Sequence, residues 1–247
     1  MIKLFIFGIN GKMGTALQQC APSHSVEIVG GFGRQNNFTV YNNIEDIACE
    51  FDCIIDFSSA QCLDDILKLS SQRNKPVVLA STGHTKQQLN MIKKHSKNFA
   101  VLQSSNMSLG ITVLLKLIQI TSQMLPDFDL EIIETHHNMK HDVPSGTAKM
   151  MFEQAYTNNN NLKACLGRAK KNGKRLFHQA TIHSIRGGTF VGEHKAIYFG
   201  QNQTISLTHS AQNRDIFAQG AIKAAQFIVD KSNGLFSMFD CLLPTTT

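Results

Sequence analysis

Apolar residues fall along this chain in two textures. Residues 2–7, Ile-Lys-Leu-Phe-Ile-Phe, are apolar at nearly every position, as a strand buried on both faces requires. Residues 12–20 then space their apolar side chains as a helix does. The exchange repeats, with strands predicted over 26–32, 53–57, 76–80 and 100–103 and helices over 44–49, 61–72 and 86–97. Strand, helix, strand at this rhythm predicts an α/β fold, a Rossmann-like doubly wound parallel sheet. After Ser108 the texture changes. A long amphipathic helix over 111–125 is stopped by Pro126, 129–136 alternate as a strand, and 146–156 read as a helix before a polar loop at 158–161. Runs at 180–185, 189–199 and 203–209 suit a mixed or antiparallel sheet, and a last helix over 216–229 suits packing back on the first part. Two domains are expected: residues 1–106 with 215–247, and an α+β domain of residues 107–214.

Composition narrows the function classes. With 42% hydrophobic and 17% charged residues over 247 positions, the chain is globular and not disordered. Its net charge of +6 would suit nucleic acid, phosphate-bearing cofactors or dicarboxylates equally. The densest basic cluster (Arg168, Lys170, Lys171, Lys174, Arg175) has no aromatic residues interleaved, so it lacks stacking platforms and no nucleic-acid partner is expected. The six cysteines are scattered without a C-x-x-C pair, which reads as reduced thiols, with no disulfide and no metal. No apolar stretch approaches the roughly 20 residues of a membrane span, and the run at 4–9 is too short for a secretory signal. A soluble, cytoplasmic protein without a membrane partner is expected.

Directly after the first strand stands Gly8-Ile9-Asn10-Gly11-Lys12-Met13-Gly14. A nucleotide pyrophosphate needs close approach to backbone and the positive end of a helix; glycines permit both the tight turn and the approach. The plain alternative is a tight strand–helix turn without a ligand. An NAD-selective site places an acid at the end of the second strand to accept from the ribose 2′-OH. This chain has Gly33-Arg34 there, and Arg34 and Lys12 are both suited to a 2′-phosphate, Arg34 through a bidentate fork. NADPH is therefore expected as the preferred cofactor, with NADH possible. The alternative leaves Arg34 as a solvated charge.

Residues 134–148, Glu-Thr-His-His-Asn-Met-Lys-His-Asp-Val-Pro-Ser-Gly-Thr-Ala, run from a strand end through a turn into a helix. Histidine titrates near working pH and can supply a proton; a lysine ammonium can neutralise substrate charge. The amides of Ser145, Gly146 and Thr147, with the Thr147 hydroxyl, suit a carboxylate at a helix entrance. Asp142 is expected as a helix-entry cap and Glu134 as a residue that holds the loop. His183, His194 and His209 lie in separate strands without metal-ligand spacing and read as structural.

This stretch resembles the E-x-H-H-x-x-K-x-D-x-P-S-G-T-A signature of the dihydrodipicolinate reductase family. Further likenesses follow in the family's order: the glycine turn with Lys12 for its arginine, Asp56-Phe57-Ser58, Ala80-Ser81-Thr82-Gly83, Ser105-Asn106-Met107-Ser108-Leu109-Gly110, Val191-Gly192-Glu193-His194, Arg214 with Phe217-Ala218-Gln219-Gly220-Ala221, and Gly234-Leu235-Phe236. The resemblance implies reduction of a dihydrodipicolinate-type ring, a small dicarboxylate, to tetrahydrodipicolinate by NAD(P)H in lysine biosynthesis. It implies His136 as proton donor, Lys140 as its charge-stabilising partner, and His137, Ser145, Gly146 and Thr147 as substrate ligands. Ala80, Ser81, Thr82, Ser104, Ser105, Asn106 and Met107 would line the cofactor. It further implies dinucleotide binding in the first domain, substrate binding and oligomerisation in the second, and a homotetramer. The chain departs from the family at Gly33, where NADH-preferring members carry an acid, at Met107 for a common Phe, and at Ala80 for Gly. Two rivals stay open: a reductase of another dicarboxylate on the same plan, and a non-catalytic nucleotide sensor.

Overall fold

Leu4, Phe5, Ile6 and Phe7 expose no surface, because strand β1 (Ile2–Phe7) lies inside a sheet covered on both faces. The computed structural model describes residues 1–34, 40–157, 161–170 and 173–242. Most of the asparagine loop at 158–161 and Lys171 of the basic cluster lie outside them, as do residues 243–247. In chain order, β1 is followed by α1 (Lys12–Cys20), β2 (Val26–Phe32), β3 (Val40–Tyr41), β4 (Cys53–Asp56), α2 (Leu63–Arg73), β5 (Val77–Leu79), α3 (Lys86–His95) and β6 (Ala100–Gln103). Then come α4 (Leu109–Met124), β7 (Asp129–His136), α5 (Gly146–Tyr156), β8 (Lys163–Leu166), β9 (Gln179–Arg186), β10 (Gly192–Gly200) and β11 (Gln203–Ala211). The chain closes with α6 (Asp215–Ile228), β12 (Gly234–Phe236) and α7 (Met238–Leu242).

These elements cluster into two compact units, Met1–Leu109 with Arg214–Thr247, and Gly110–Asn213. Among the described residues the first unit holds a seven-stranded sheet of order β12-β6-β5-β4-β1-β2-β3, with every neighbouring pair parallel. Side chains alternate between its faces and feed two cores. Leu4, Ile6, Cys53, Ile55 and Val78 join Leu17 of α1 and Ala221, Ile222 and Ala225 of α6 on one side. Phe5, Phe7, Ile54, Val77 and Leu79 join Leu63 and Ile66 of α2 and Ile92 of α3 on the other. Full burial of each large aliphatic or aromatic side chain contributes roughly 1.5–3 kcal/mol, so this alternation is what makes the sheet double-faced. The strand order reverses between β1 and β4, the place where such sheets receive dinucleotides.

The second unit holds a mixed five-stranded sheet, β11-β10-β7-β9-β8 among the described residues. Strand β10 is antiparallel to β7 and β11, while β7, β9 and β8 run parallel. One face is covered: Leu130, Ile132, Glu134 and His136 of β7 and His194, Ala196 and Tyr198 of β10 are buried. The Tyr198 hydroxyl ties α4 to this face, 2.8 Å from Ser122 Oγ and 3.2 Å from the Ile118 carbonyl.

The helix expected over 44–49 is instead a 3₁₀ turn at Ile44–Asp46. Its apolar residues Ile44 and Ile47, with Phe51, are buried in the second core, so the spacing that suggested a helix serves a packed connection. Strands β3, β8 and β12 were not expected. They are two to four residues long and exist through pairing with β2, β9 and β6 rather than through a pattern of their own.

Candidate active site

In the first unit the turn after β1 is built so that only glycine fits at its ends. Gly8 has φ +84°, and a Cβ there would stand 2.8 Å from the Phe57 carbonyl oxygen that follows β4. A Cβ on Gly14 would lie 2.3 Å from the Ile9 carbonyl oxygen. Backbone bonds from Gly8 N–H to the Phe32 carbonyl and from Gly11 N–H to the Gly8 carbonyl, each 2.9 Å, hold the curve. Gln18 Nε2 braces it from α1 by donating to the carbonyls of Ile9 and Gly14 at 3.2 Å. Helix α1 starts at Gly11 without a side-chain cap, whereas Thr85 caps α3 and Ser145 caps α5. An uncapped entrance behind a glycine cradle is what a phosphate requires, so these residues fit a dinucleotide pyrophosphate. Ile9 packs into the core and Met13 against it, which leaves backbone as their means of touching a ligand. Asn10, Lys12 and Arg34 are exposed.

The loops after β4 and β5 are tied together by Asp56, which is fully buried. Its Oδ1 accepts from Ser58 N–H at 2.8 Å and Ser58 Oγ at 2.5 Å, and its Oδ2 accepts from Ser81 Oγ. Burial pushes this carboxyl up, against the lowering effect of those hydroxyls. Ser81 thus points into the loop junction, Ala80 is buried, and Thr82 is exposed. After β6, Ser104 Oγ donates to the Asn106 carbonyl at 2.7 Å, and Asn106 Oδ1 accepts from Ser108 N–H at 2.9 Å; Ser105 is exposed. Met107, expected as a thioether contact for the cofactor, is only 1% exposed and belongs to the core. Its carbonyl lies where a Cβ on Gly220 would come within 1.7 Å. Its side chain is spent on packing under α6 and offers no ligand surface.

In the second unit the stretch at 134–148 starts on the covered face of β7. Glu134 Oε2 stands 2.5 Å from His136 Nδ1, and both side chains face inward because they are two residues apart on one strand. Arg186, beside His136 in the β7–β9 register, clamps the same carboxylate with Nη1 to Oε2 at 2.9 Å and Nη2 to Oε1 at 2.8 Å. Burial pushes Glu134 up, but His136, Arg186, Ser184 and the Ser145 amide together hold it well below the usual carboxylate range. From β10, His194 meets His136 edge-on with ring centroids 5.0 Å apart. Burial, then the neighbouring His136, lowers the pKa of His194 to about 3, so it is a neutral imidazole. Its Nε2 lies 3.0 Å from Ser145 Oγ.

Past β7 the chain turns through His137, half-buried, and Lys140, whose Nζ pairs with Asp142 Oδ1 at 2.8 Å. The Val143–Pro144 peptide bond is cis. Asp142 does not cap the helix, being too early: Ser145 occupies the N-cap position and its Oγ accepts from Ala148 N–H at 3.1 Å. The Ser145 amide, expected to meet substrate, already donates to Glu134 Oε1 at 3.2 Å. Gly146 and Thr147 follow in the first turn, and a Cβ on Gly146 would meet nothing within 4 Å. Arg186 and the linking role of His194 had no local signal in the sequence, because strand register brings them to His136. Among the described residues no cluster of His, Cys, Asp and Glu could hold a metal ion, and no helix is long and apolar enough to cross a membrane.

Two family descriptions match the chain in tandem: "Dihydrodipicolinate reductase, N-terminus" over residues 2–107 and "Dihydrodipicolinate reductase, C-terminus" over residues 110–242. A 4-hydroxy-tetrahydrodipicolinate reductase of Caldanaerobacter subterraneus subsp. tengcongensis is 39% identical over 245 residues, covering 97% of this chain and 98% of its own. One of Campylobacter lari is 37% identical, covering 98% and 99%. The solved dipicolinate-bound dihydrodipicolinate reductase from Paenisporosarcina sp. TG-14 has a similar fold, with a TM-score of 0.81 at 22% identity over 96% of this chain and 97% of that one.

Proposed function

The chain belongs to the dihydrodipicolinate reductase family, and from that premise we propose how its residues carry out the family's reaction. The enzyme reduces a 4-hydroxy-tetrahydrodipicolinate or dihydrodipicolinate ring to tetrahydrodipicolinate with NAD(P)H, in the diaminopimelate route to lysine. The observation that carries the assignment of roles is the joining of His136 and the start of α5 through one buried carboxylate, Glu134. The hydroxy form loses its hydroxyl as water to give the dihydro ring; a bound reduced nicotinamide would then supply the hydride, and His136 the accompanying proton to the ring carbon next to the one reduced. Lys140 leaves Asp142 to offset the charge of a substrate carboxylate. The amides of Gly146 and Thr147, with His137, hold the dianion at the helix entrance.

The cofactor cradle is the turn at residues 8–14, with Ala80, Ser81, Thr82, Ser104, Ser105 and Asn106 toward the nicotinamide. NADPH is preferred and NADH usable, with Lys12 and Arg34 facing the 2′-phosphate and glycine at 33 where an acid would repel it. We also assign a homotetramer. Its support is the sheet face opposite α4 and α5, which leaves Ile185 50% and Phe199 43% exposed and invites a second copy. The scattered spacing of the six cysteines, with no C-x-x-C pair, supports a reducing compartment, the cytoplasm.

A coupled assay with freshly generated substrate, run separately with NADPH and NADH, tests the function. Loss of reduced-nicotinamide absorbance is expected with both and faster with NADPH. His136→Ala and Lys140→Ala are expected to lower kcat on the order of 10²–10⁴-fold while leaving the NADPH Kd nearly unchanged. Either variant turning over near the wild-type rate removes that residue from the chemistry, and tight NADPH binding with no oxidation would favour the sensor.

A further inference from the structure

We propose that Glu134 and Arg186 form a positioning pair that fixes which nitrogen of His136 carries the deliverable proton and places that donor relative to the helix that binds substrate. The proposal rests on His136 being the proton donor.

Glu134 is fully buried, and a carboxylate in that position persists only if its oxygens are matched by donors. They are: Oε1 accepts from Ser145 N–H and Arg186 Nη2, and Oε2 from Arg186 Nη1 and His136. An ionised carboxylate only accepts, so His136 Nδ1 must be the donor to it. Nδ1–H is thereby committed to Glu134, and Nε2 is the nitrogen that can give a proton and take one back. Space is kept beside Nε2 by Gly192, where a Cβ would stand 3.0 Å from it. The remaining ring neighbour, His194 of β10, is neutral and does not compete for the proton. Glu134 also holds the Ser145 amide, so one anion sets the spacing between donor and carboxylate cradle. Arg186 keeps that anion ionised through both of its terminal nitrogens and fastens the β7 end to Asp142 through the Asp142 carbonyl at 2.8 Å.

In Glu134→Gln the carboxamide oxygen stays with Arg186 Nη2 and the Ser145 amide, its NH₂ turns to His136 Nδ1, and Arg186 Nη1 loses its acceptor at residue 134. The ring then carries its neutral-state proton on Nε2, and the imidazolium that must donate loses its counter-charge. The charged and titratable groups around the ring are Glu134 on β7, Arg186 on β9, His194 on β10 with His209 behind it on β11, and Lys140 with Asp142 in the following turn. Of these, only residue 134 changes. Activity that needs the imidazolium is present at low pH and lost as pH rises, so removing the counter-charge moves the high-pH limb of kcat to lower pH.

Wild type, Glu134→Gln, Glu134→Asp, His136→Gln and the double variant Glu134→Gln/His136→Gln are compared for kcat against pH, NADPH Kd and Tm. Glu134→Gln is expected to lose kcat on the order of 10²-fold, move the high-pH limb to lower pH, and bind NADPH as wild type does. Glu134→Asp should recover part of the loss, and it carries the comparison if the Gln variant does not fold. The double variant should be no slower than His136→Gln alone, since the pair acts through that ring. A crippled His136→Gln beside a Glu134→Gln of wild-type kcat and pH profile overturns the positioning role and leaves the donor role standing. Multiplied losses in the double variant also overturn it. Full activity in His136→Gln removes the donor, and the pair's role with it.

Discussion

A Cβ at residue 33 would lie 2.0 Å from Asn10 Oδ1, so the Asn10 side chain occupies the space next to the β2 end. An aspartate there must first displace Asn10, and its charge would then oppose a 2′-phosphate. Gly33→Asp is expected to lower kcat/KM for NADPH by about 10-fold or more, one pKa unit's worth of interaction or more, while gaining little with NADH. Gly33→Asp with Asn10→Gly should raise kcat/KM for NADH. Steady-state kinetics with both cofactors check this, and an unchanged cofactor ratio in both variants would count against 2′-recognition at this point. At this scale the sequence exposes residues whose roles depend on near neighbours. Gly8 and Gly14 stand where a tight turn into a helix demands glycine, and His136 and Gly146 lie within one short stretch from strand end to helix start. Arg186 is invisible by the same logic, because it reaches Glu134 across 52 positions. The burial of the Met107 side chain is hidden for a related reason: a loop motif does not reveal which side chain turns into the core.

Helix α6 shows how an element can be legible while its contacts are not. Its run of Ala218, Ala221, Ala224, Ala225 and Ile228 marks a buried helix in the sequence and is buried in the first unit. The tightness of that packing appears only at Gly220, against the Met107 carbonyl. Helix propensity alone would favour alanine at Gly220 by about 1 kcal/mol. Overpacking costs about 1–3 kcal/mol, and a backbone carbonyl cannot rotate aside as a side chain would. Gly220→Ala is therefore expected to destabilise the protein, read as a lower midpoint in chemical denaturation; an equal or higher midpoint would show that α6 has slack there. Elements with ten or more residues of consistent spacing, such as α4, α5 and α6, were readable to within two residues. Strands β3, β8 and β12 were not, since a strand of two to four residues is defined by the neighbour it pairs with.

Across the molecule, each unit keeps ionisable groups in its interior, and their titration governs acid stability. His194 stays neutral in the fold down to about pH 3, whereas an unfolded histidine binds its proton near 6.5. Between those values the unfolded chain takes up the proton, so stability falls as pH drops from 6.5 toward 3. Glu134, held low, adds stability above its unfolded value of 4.5 and loses it as pH falls below that. Asp56 works in the opposite sense, since its raised pKa favours the fold as the medium becomes acidic. The net expectation between pH 6.5 and 4.5 is a Tm that declines toward acid. His194→Gln, which can keep a bond to Ser145, should flatten that decline in calorimetry across the interval. An unchanged slope would mean that His194 takes up its proton in the fold.

The sequence alone settled whatever depends on spacing within a turn or two: the doubly wound alternation, the change of texture after Ser108, the glycine turn and the His-His to Ser-Gly-Thr stretch. Its likeness to one family added the reaction. Tertiary structure decided the partnerships of Glu134 with Arg186 and Ser145, the burial of Met107, the contest between Asn10 and a side chain at 33, and the existence of the shortest strands. The division follows from range. Backbone propensity and apolar periodicity act between residues a few positions apart and leave a pattern that can be counted. Strand register and helix-on-sheet contact join residues tens or hundreds of positions apart, and they acquire a distance only when the whole core has formed.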